Sequence, residues 1–298
     1  MKSPISSVVN VVPGSAINTP AMDRSIGALL IDSGKISPED AERILRYAKE
    51  KEMRFGDAAV SLRLATDADI QQVLARQFDY PYLLPGQSDV SGSVVAAWTP
   101  FSSQVEALRA LRSQLLLRWF TGDEGQKCLS IVSAERGDGR SHLAANLAVV
   151  FSQMGERTLL VDADLRNAKQ HDLFKLRNST GLSTLLAERG GVEPIQRVSG
   201  FVDLSVLPAG PTPPNPSELL GRSSFGEFMV KVAAQFDVVI VDTPAASFGS
   251  DFQLVAQKTR GVLIVARRDR TRMDDCQAMA QESRAAGATV IGGVMNEY

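Results

Sequence analysis

Residues 128–154 read CLSIV-SAERGDGRS-HLAANLAVVFSQM, and this stretch decides the fold. Its first five residues are an apolar burst of strand length. A loop holding Gly137 and Gly139 follows, and residues 141–154 then carry helical periodicity. Further bursts at 158–161, 204–207, 238–241, 261–266 and 289–294 alternate with helical stretches, the clearest at 224–235 and 272–286. Short, fully apolar strands alternating with helices predict an α/β fold: a doubly wound, mostly parallel sheet covered on both faces. Ligands of such sheets bind beyond the carboxyl ends of the strands.

At the first of those ends the sequence runs Ser133-Ala134-Glu135-Arg136-Gly137-Asp138-Gly139-Arg140-Ser141. Glycines let backbone N–H groups approach phosphate oxygens, and the helix N-terminus adds positive potential. Ser141 is placed to ligate Mg²⁺. Arg140 stands where a lysine is usual, and Ala134 where the first glycine is. The bland alternative is a tight strand-to-helix turn. The second strand ends Val161-Asp162-Ala163-Asp164-Leu165-Arg166, and a later one ends Val241-Asp242-Thr243-Pro244. Acids beside a phosphate loop serve as magnesium ligands or bases. Three acids with Ser141 make a nucleotide–Mg²⁺ constellation, with ATP and Mg²⁺ as the expected ligands. The expected nucleotide contacts are Glu135, Arg136, Gly137, Asp138, Gly139, Arg140, Ser141 and His142. His142, inside the first turn of the helix, reads as structural rather than catalytic.

The order of these motifs resembles the cytoplasmic bacterial tyrosine kinases of exopolysaccharide synthesis (BY-kinases), specifically the EpsG-like branch. Residues 134–141 match the Walker A motif, Asp162, Asp164 and Arg166 the second acidic motif, and Asp242 Walker B. Gly210-Pro211-Thr212-Pro213-Pro214-Asn215-Pro216-Ser217-Glu218-Leu219-Leu220 matches a further family stretch, which reads on its own as a rigid loop capped into a short helix by Asn215 and Pro216. Glu106, Arg109 and Arg112 match an upstream Glu-x-x-Arg-x-x-Arg. The resemblance implies an ATP-dependent protein-tyrosine kinase in which Asp162 accepts the tyrosine proton. Ser141, Asp164 and Asp242 hold Mg²⁺, and Arg140 faces the phosphates. It also implies a homo-oligomer with Glu106, Arg109 and Arg112 at the subunit contact. Further implications are a membrane-anchored polysaccharide co-polymerase (chain-length determinant) as adaptor and a cytoplasmic location peripheral to the inner membrane. Arg140 and the lack of a tyrosine-rich tail motivate a second reading, a nucleotide-binding pseudo-kinase that switches assembly of the polysaccharide machinery. A third, an ATPase that positions DNA or protein, is disfavoured by Glu135, which occupies the place of that class's signature lysine.

Composition narrows the rest. The chain has 298 residues, 32 Lys plus Arg against 34 Asp plus Glu, and 6% aromatics. Neither a global basic excess nor a stacking platform points to nucleic acid. Two cysteines without a CxxC give no disulfide framework or zinc site. No apolar run approaches the roughly 20 residues of a spanning helix, and the first residues make a poor signal peptide.

The expected organisation is a loose tail over 1–22, a helical repeat domain over 23–83, a linker over 84–100 and the P-loop kinase domain over 101–298. The repeat has an offset of 29 residues: Ile26-Gly27 aligns with Phe55-Gly56, and Ser37-Pro38-Glu39-Asp40 with Thr66-Asp67-Ala68-Asp69. Ser37 and Thr66 are the expected N-caps, and two such units should pack together because neither can bury its stripe alone. These residues resemble the N-terminal domain of type II secretion and pilus ATPases (MshEN-like), some of which bind cyclic di-GMP. The resemblance makes Arg24, Gly27, Arg54 and Gly56 candidate contacts for that ligand. A docking module whose small residues merely pack helices is the competing account.

Overall fold

Ser37 and Thr66 open their helices by the same device. In each copy the hydroxyl accepts the N–H of the residue three places on, at 3.1 and 3.2 Å. The Asp40 or Asp69 carboxylate accepts the cap's own N–H, at 3.2 and 3.0 Å. Such a cap is worth about 1 kcal/mol. The structure, a computed structural model, describes residues 25–77, 80–84, 86–122, 125–188 and 194–297. The chain divides into two units between Tyr80 and Pro81.

The first unit holds α1 (Ile26–Asp32), α2 (Pro38–Glu50), α3 (Phe55–Ser61) and α4 (Asp67–Gln77). Helix α2 packs on α3 and α1 on α4, so Leu30, Ile44, Ala58, Ala59 and Val73 share one core. Lys35 of the first copy pairs with Asp69 of the second at 2.7 Å. That ammonium, with the Thr66 hydroxyl, draws the Asp69 carboxyl down to about 2.

The second unit begins with α5 (Val95–Trp98) and α6 (Ser103–Arg118). The α/β series follows: β1 (Cys128–Val132), α7 (Arg140–Ser152), β2 (Thr158–Asp162), α8 (Gln170–Phe174), α9 (Leu182–Leu186), β3 (Gln196–Arg197) and β4 (Leu204–Leu207). It continues with α10 (Pro216–Gly221), α11 (Ser223–Gln235), β5 (Val238–Asp242), α12 (Asp251–Thr259), β6 (Gly261–Arg267), α13 (Met273–Ala285) and β7 (Thr289–Asn296). The sheet order is β3-β4-β2-β5-β1-β6-β7. All its pairings are parallel except the short β3 against β4. Strands β1, β2 and β5 are buried at every position, as a sheet covered on both faces requires. The order sets β2 and β5 side by side with Asp162 opposite Asp242, and β5 beside β1, which feeds the glycine loop. Three strand ends thereby meet at one place.

Residues 84–100 are not a linker. Val90, Val94, Ala96 and Ala97 are buried in the core that α7 and β1 share. The Ala96 N–H donates to Oδ1 of the buried Asn146 at 2.9 Å, and Gln153 Nε2 donates to the Ala96 carbonyl at 2.9 Å. Proline, glycine and serine mark this stretch as aperiodic, but its small alanines fit closely against α7. On α6 the stripe Val105, Leu108, Leu115 and Trp119 is buried as expected, with Leu111 packed beside it.

Candidate nucleotide site

The loop between β1 and α7 turns on two glycines with positive φ, Gly137 at 91° and Gly139 at 100°. Glycine adopts that conformation without strain. Inside the loop, Asp138 is buried and its Oδ2 accepts the Glu135 N–H at 2.9 Å. Above it, Asn296 at the end of β7 donates Nδ2 to the Asp138 carbonyl at 3.1 Å. A Cβ on Gly139 would lie 2.0 Å from that amide nitrogen and would displace the Asn296 side chain, in addition to the strain of the positive φ. A cleft of about 230 Å³ opens on this loop, lined by Arg136, Gly139, Arg140, Ser141, Asp164 and Lys169 among others.

Arg140 turns inward and is buried. Its Nε donates to the Thr243 carbonyl at 2.9 Å, and Nη1 donates to Ser133 Oγ and to the Glu135 carbonyl. Its Nη2 lies 3.7 Å from Asp164 Oδ2. The expected phosphate-facing cation thus borders the cleft while most of its donors hold the loop.

The three acids occupy two depths. Asp164 lines the cleft, and its Oδ1 accepts the N–H groups of Arg166 and Asn167 at 3.3 and 2.9 Å. Asp162 and Asp242 lie deeper and are fully buried. Asp162 Oδ1 accepts the Asp164 N–H at 3.2 Å, and Oδ2 accepts those of Lys169 and Gln170 at 2.9 Å each. Burial, then the neighbouring Asp242, pushes the Asp162 carboxyl well above its ordinary value. Burial raises Asp242 to about 6 against the pull of Arg140, Ser141 and Gln170. Asp164 is raised by burial too, with the Asn167 N–H and Arg140 opposing. Asp242 Oδ1 is buried and accepts no hydrogen bond. An unpaired buried carboxylate oxygen next to Ser141 suits a hard divalent cation, which takes oxygen ligands. Among the described residues no group of three or more His, Cys, Asp or Glu forms a metal cage. A site of this kind would draw its remaining ligands from phosphate and water.

No protein-family model matches the chain. The tyrosine-protein kinase YwqD of Bacillus subtilis is 34% identical over 209 residues, 70% of this chain and 87% of that protein. The chain belongs to the bacterial tyrosine-protein kinases. Among solved structures, the chimerical protein CapA2B2 superposes with TM-score 0.64 and 33% identity over 76% of this chain and 98% of that one. The kinase domain of the Escherichia coli tyrosine kinase Etk gives 0.64 and 33% over 68% and 79%.

Other expected residues of this bacterial tyrosine-protein kinase fall as follows. The Arg166 guanidinium is engaged at Asp251 rather than at Asp164. Its Nε pairs with the buried Asp251 at 2.7 Å and its Nη2 donates to Ser217 Oγ at 3.1 Å, while Ser217 donates to Asp251. Asn215 precedes α10 but makes no side-chain cap; Pro216 starts the helix instead. On α6, Arg109 pairs with Glu106 within the helix and lies over the Phe101 ring. Arg112 donates to the Val150 carbonyl at 2.6 Å, so of the three expected contact residues Glu106 offers the most exposed side chain. Arg267 and Arg270 donate to the carbonyls of Gly137 and Arg136 at 3.2 and 3.0 Å, and therefore brace the phosphate loop. His142 is half-buried, and burial lowers its imidazole. The Cys128 thiol is pushed up to about 12 by burial and is no nucleophile.

In the first unit, Gly27 and Gly56 are covered by the chain's own side chains. A Cβ there would meet the Phe55 ring at 3.1 Å and Ile70 Cγ2 at 3.0 Å. At both glycines the space a side chain would take is thus filled by helix packing. Arg54 is exposed at the start of α3, and Arg24 lies outside the described residues.

Sequence reasoning missed Gln170. It stands eight residues past Asp162, on a helix too short to carry a period, so no local signal marks it.

Proposed function

We propose that this chain is an ATP-dependent protein-tyrosine kinase, carried by one observation: the glycine loop, Ser141, Asp164 and the buried pair Asp162 and Asp242 converge where three strands end. ATP and a protein tyrosine are its substrates. The N–H groups of the loop and the N-terminus of α7 would hold the phosphates. The nucleoside would extend into the adjoining groove of about 560 Å³ between α6, α7 and β7, which shares His142 with the cleft. Ser141, Asp242 and Asp164 would hold Mg²⁺, which when bound neutralises phosphate charge. Asp162 would accept the tyrosine hydroxyl proton, and burial beside Asp242 makes its carboxylate more basic than an ordinary one. Asp164 is the competing base because it, unlike Asp162, lines the cleft. Catalysis would be positioning and charge stabilisation. With labelled ATP and Mg²⁺ the chain should form phosphotyrosine, and Asp162→Asn should lower the rate at least 100-fold while nucleotide still binds. If Asp164→Asn does so and Asp162→Asn does not, and the Asp164→Asn change leaves the Mg²⁺ dependence of nucleotide binding intact, the base is Asp164; no label in any condition would sink the kinase.

A second reading rests on Arg140, whose guanidinium is engaged by Thr243, Ser133 and Glu135. In it the chain binds nucleotide and switches assembly without transfer. Arg140→Lys decides: a gain in turnover of tenfold or more shows that the natural site is held down, since a lysine is a compact point charge free to reach phosphate.

The polysaccharide machinery, a membrane-anchored co-polymerase adaptor, a location at the inner-membrane surface and homo-oligomers in contact through Glu106 are part of the proposal and rest on the family resemblance. Among the described residues no helix is long and apolar enough to cross a membrane. Phosphotyrosine formation that rises with the adaptor's cytosolic segment would support the pairing; indifference to it would remove the adaptor. The first unit serves in this proposal as a protein-docking module. Calorimetry of the full chain with excess cyclic di-GMP should show no heat, and heat lost in Arg54→Ala would instead restore the ligand.

A further inference from the structure

Gln170 is fully buried at the start of α8 and ties three parts of the site together. Its backbone N–H donates to Asp162 Oδ2 at 2.9 Å. Its side-chain Nε2 donates to Asp242 Oδ2 at 2.8 Å and to the Ser141 carbonyl at 3.1 Å. One residue therefore touches the acid of β2, the acid of β5 and the first turn of α7. Two acceptors are left over, Gln170 Oε1 and Asp242 Oδ1, both buried and without a donor. Turning the amide over would set Oε1 against Asp242 Oδ2 and the Ser141 carbonyl, acceptor against acceptor, so the donors fix its orientation. A glutamine that merely filled space would not direct both side-chain hydrogen bonds into the site.

We propose that Gln170 is the positioning residue of the cation site. By holding Asp242 Oδ2 it leaves Oδ1 as the oxygen open to a divalent cation, and by gripping Ser141 and Asp162 it fixes their spacing. This rests on the nucleotide–Mg²⁺ reading of the site.

The test uses the full chain with Gln170→Met and Gln170→Asn. Methionine keeps the length and the backbone bond to Asp162 but removes the side-chain donor. Asparagine keeps an amide that falls one methylene short. Titration with a fluorescent ADP, with and without Mg²⁺, gives the gain in affinity that the ion brings, and melting temperature reports folding. Both variants should bind ADP without Mg²⁺ within twofold of the parent, while the Mg²⁺ gain falls tenfold or more. A parent-sized gain in either folded variant overturns the proposal. So does a loss of Mg²⁺-free affinity and melting temperature together with the gain intact, which is what a space-filling role would give. If the parent itself shows no Mg²⁺ gain, the underlying reading of the site fails, and this inference with it.

Discussion

Asp242 sets folding against chemistry. Its buried carboxyl titrates near 6 rather than at the ordinary 3.8. Because the folded value lies above the unfolded one, its contribution to stability is fully present below about pH 4 and is lost as pH rises through about 6. Asp162 moves in the same direction. Without Mg²⁺ at pH 7.5, Asp242→Asn should therefore raise the melting temperature by several degrees and flatten its dependence between pH 4 and 6. At this chain length about 1 kcal/mol corresponds to roughly 2–4 °C. Calorimetry over a pH series checks this, and a variant that melts no higher than the parent at pH 7.5 shows that the carboxylate is not under strain. These two acids were legible because each ends an apolar burst, and such bursts stop where the sheet meets its ligand edge. Arg140 was legible as an odd residue in a phosphate loop. Its inward fold was not, because it depends on carbonyls of Glu135 and Thr243 that only the folded loop brings within reach.

Among elements, the two-copy unit offers an internal control. Gly34 and Arg63 occupy equivalent places and both have positive φ, 67° and 55°. A left-handed non-glycine residue costs about 1 kcal/mol, which glycine avoids. Arg63→Gly should therefore stabilise the first unit by about 1 kcal/mol, less the entropy glycine gives back to the unfolded chain. Hydrogen exchange of the α3 and α4 amides measures it, and unchanged or weaker protection counts against the assignment. The repeat itself was readable because paired caps and a constant offset survive in one dimension. The central strands β1, β2 and β5 were readable to within one residue because burial on both faces makes them almost wholly apolar. Among the pieces that escaped, β3, α5, α8 and α9 have two to five residues, fewer than a period needs to show.

For the molecule as a whole, the place where the chain divides matters more than the number of units. A fragment of residues 81–298 should fold and bind ADP within twofold of the full chain. A fragment of 101–298 should not, since it strips Val94, Ala96 and Ala97 from the core and leaves buried Asn146 without the Ala96 N–H. Losing several buried apolar side chains and one buried partner removes several kcal/mol, a large share of a typical stability. Circular dichroism melts of the two fragments compare them directly, and equal stability would return residues 84–100 to a linker. This segment was misread because turn-forming residues announce irregular backbone and say nothing about burial. Whether irregular chain lies outside or inside depends on partners far away in sequence, here on α7.

Asn296 has one more consequence. Its amide rests on the glycine loop, so the main chain leaves the sheet one side-chain hydrogen bond away from that loop. A dye, tag or fusion partner joined just past this point would be an optical or steric reporter on cleft occupancy, and an affinity handle there would risk competing with the very molecule whose binding is being measured.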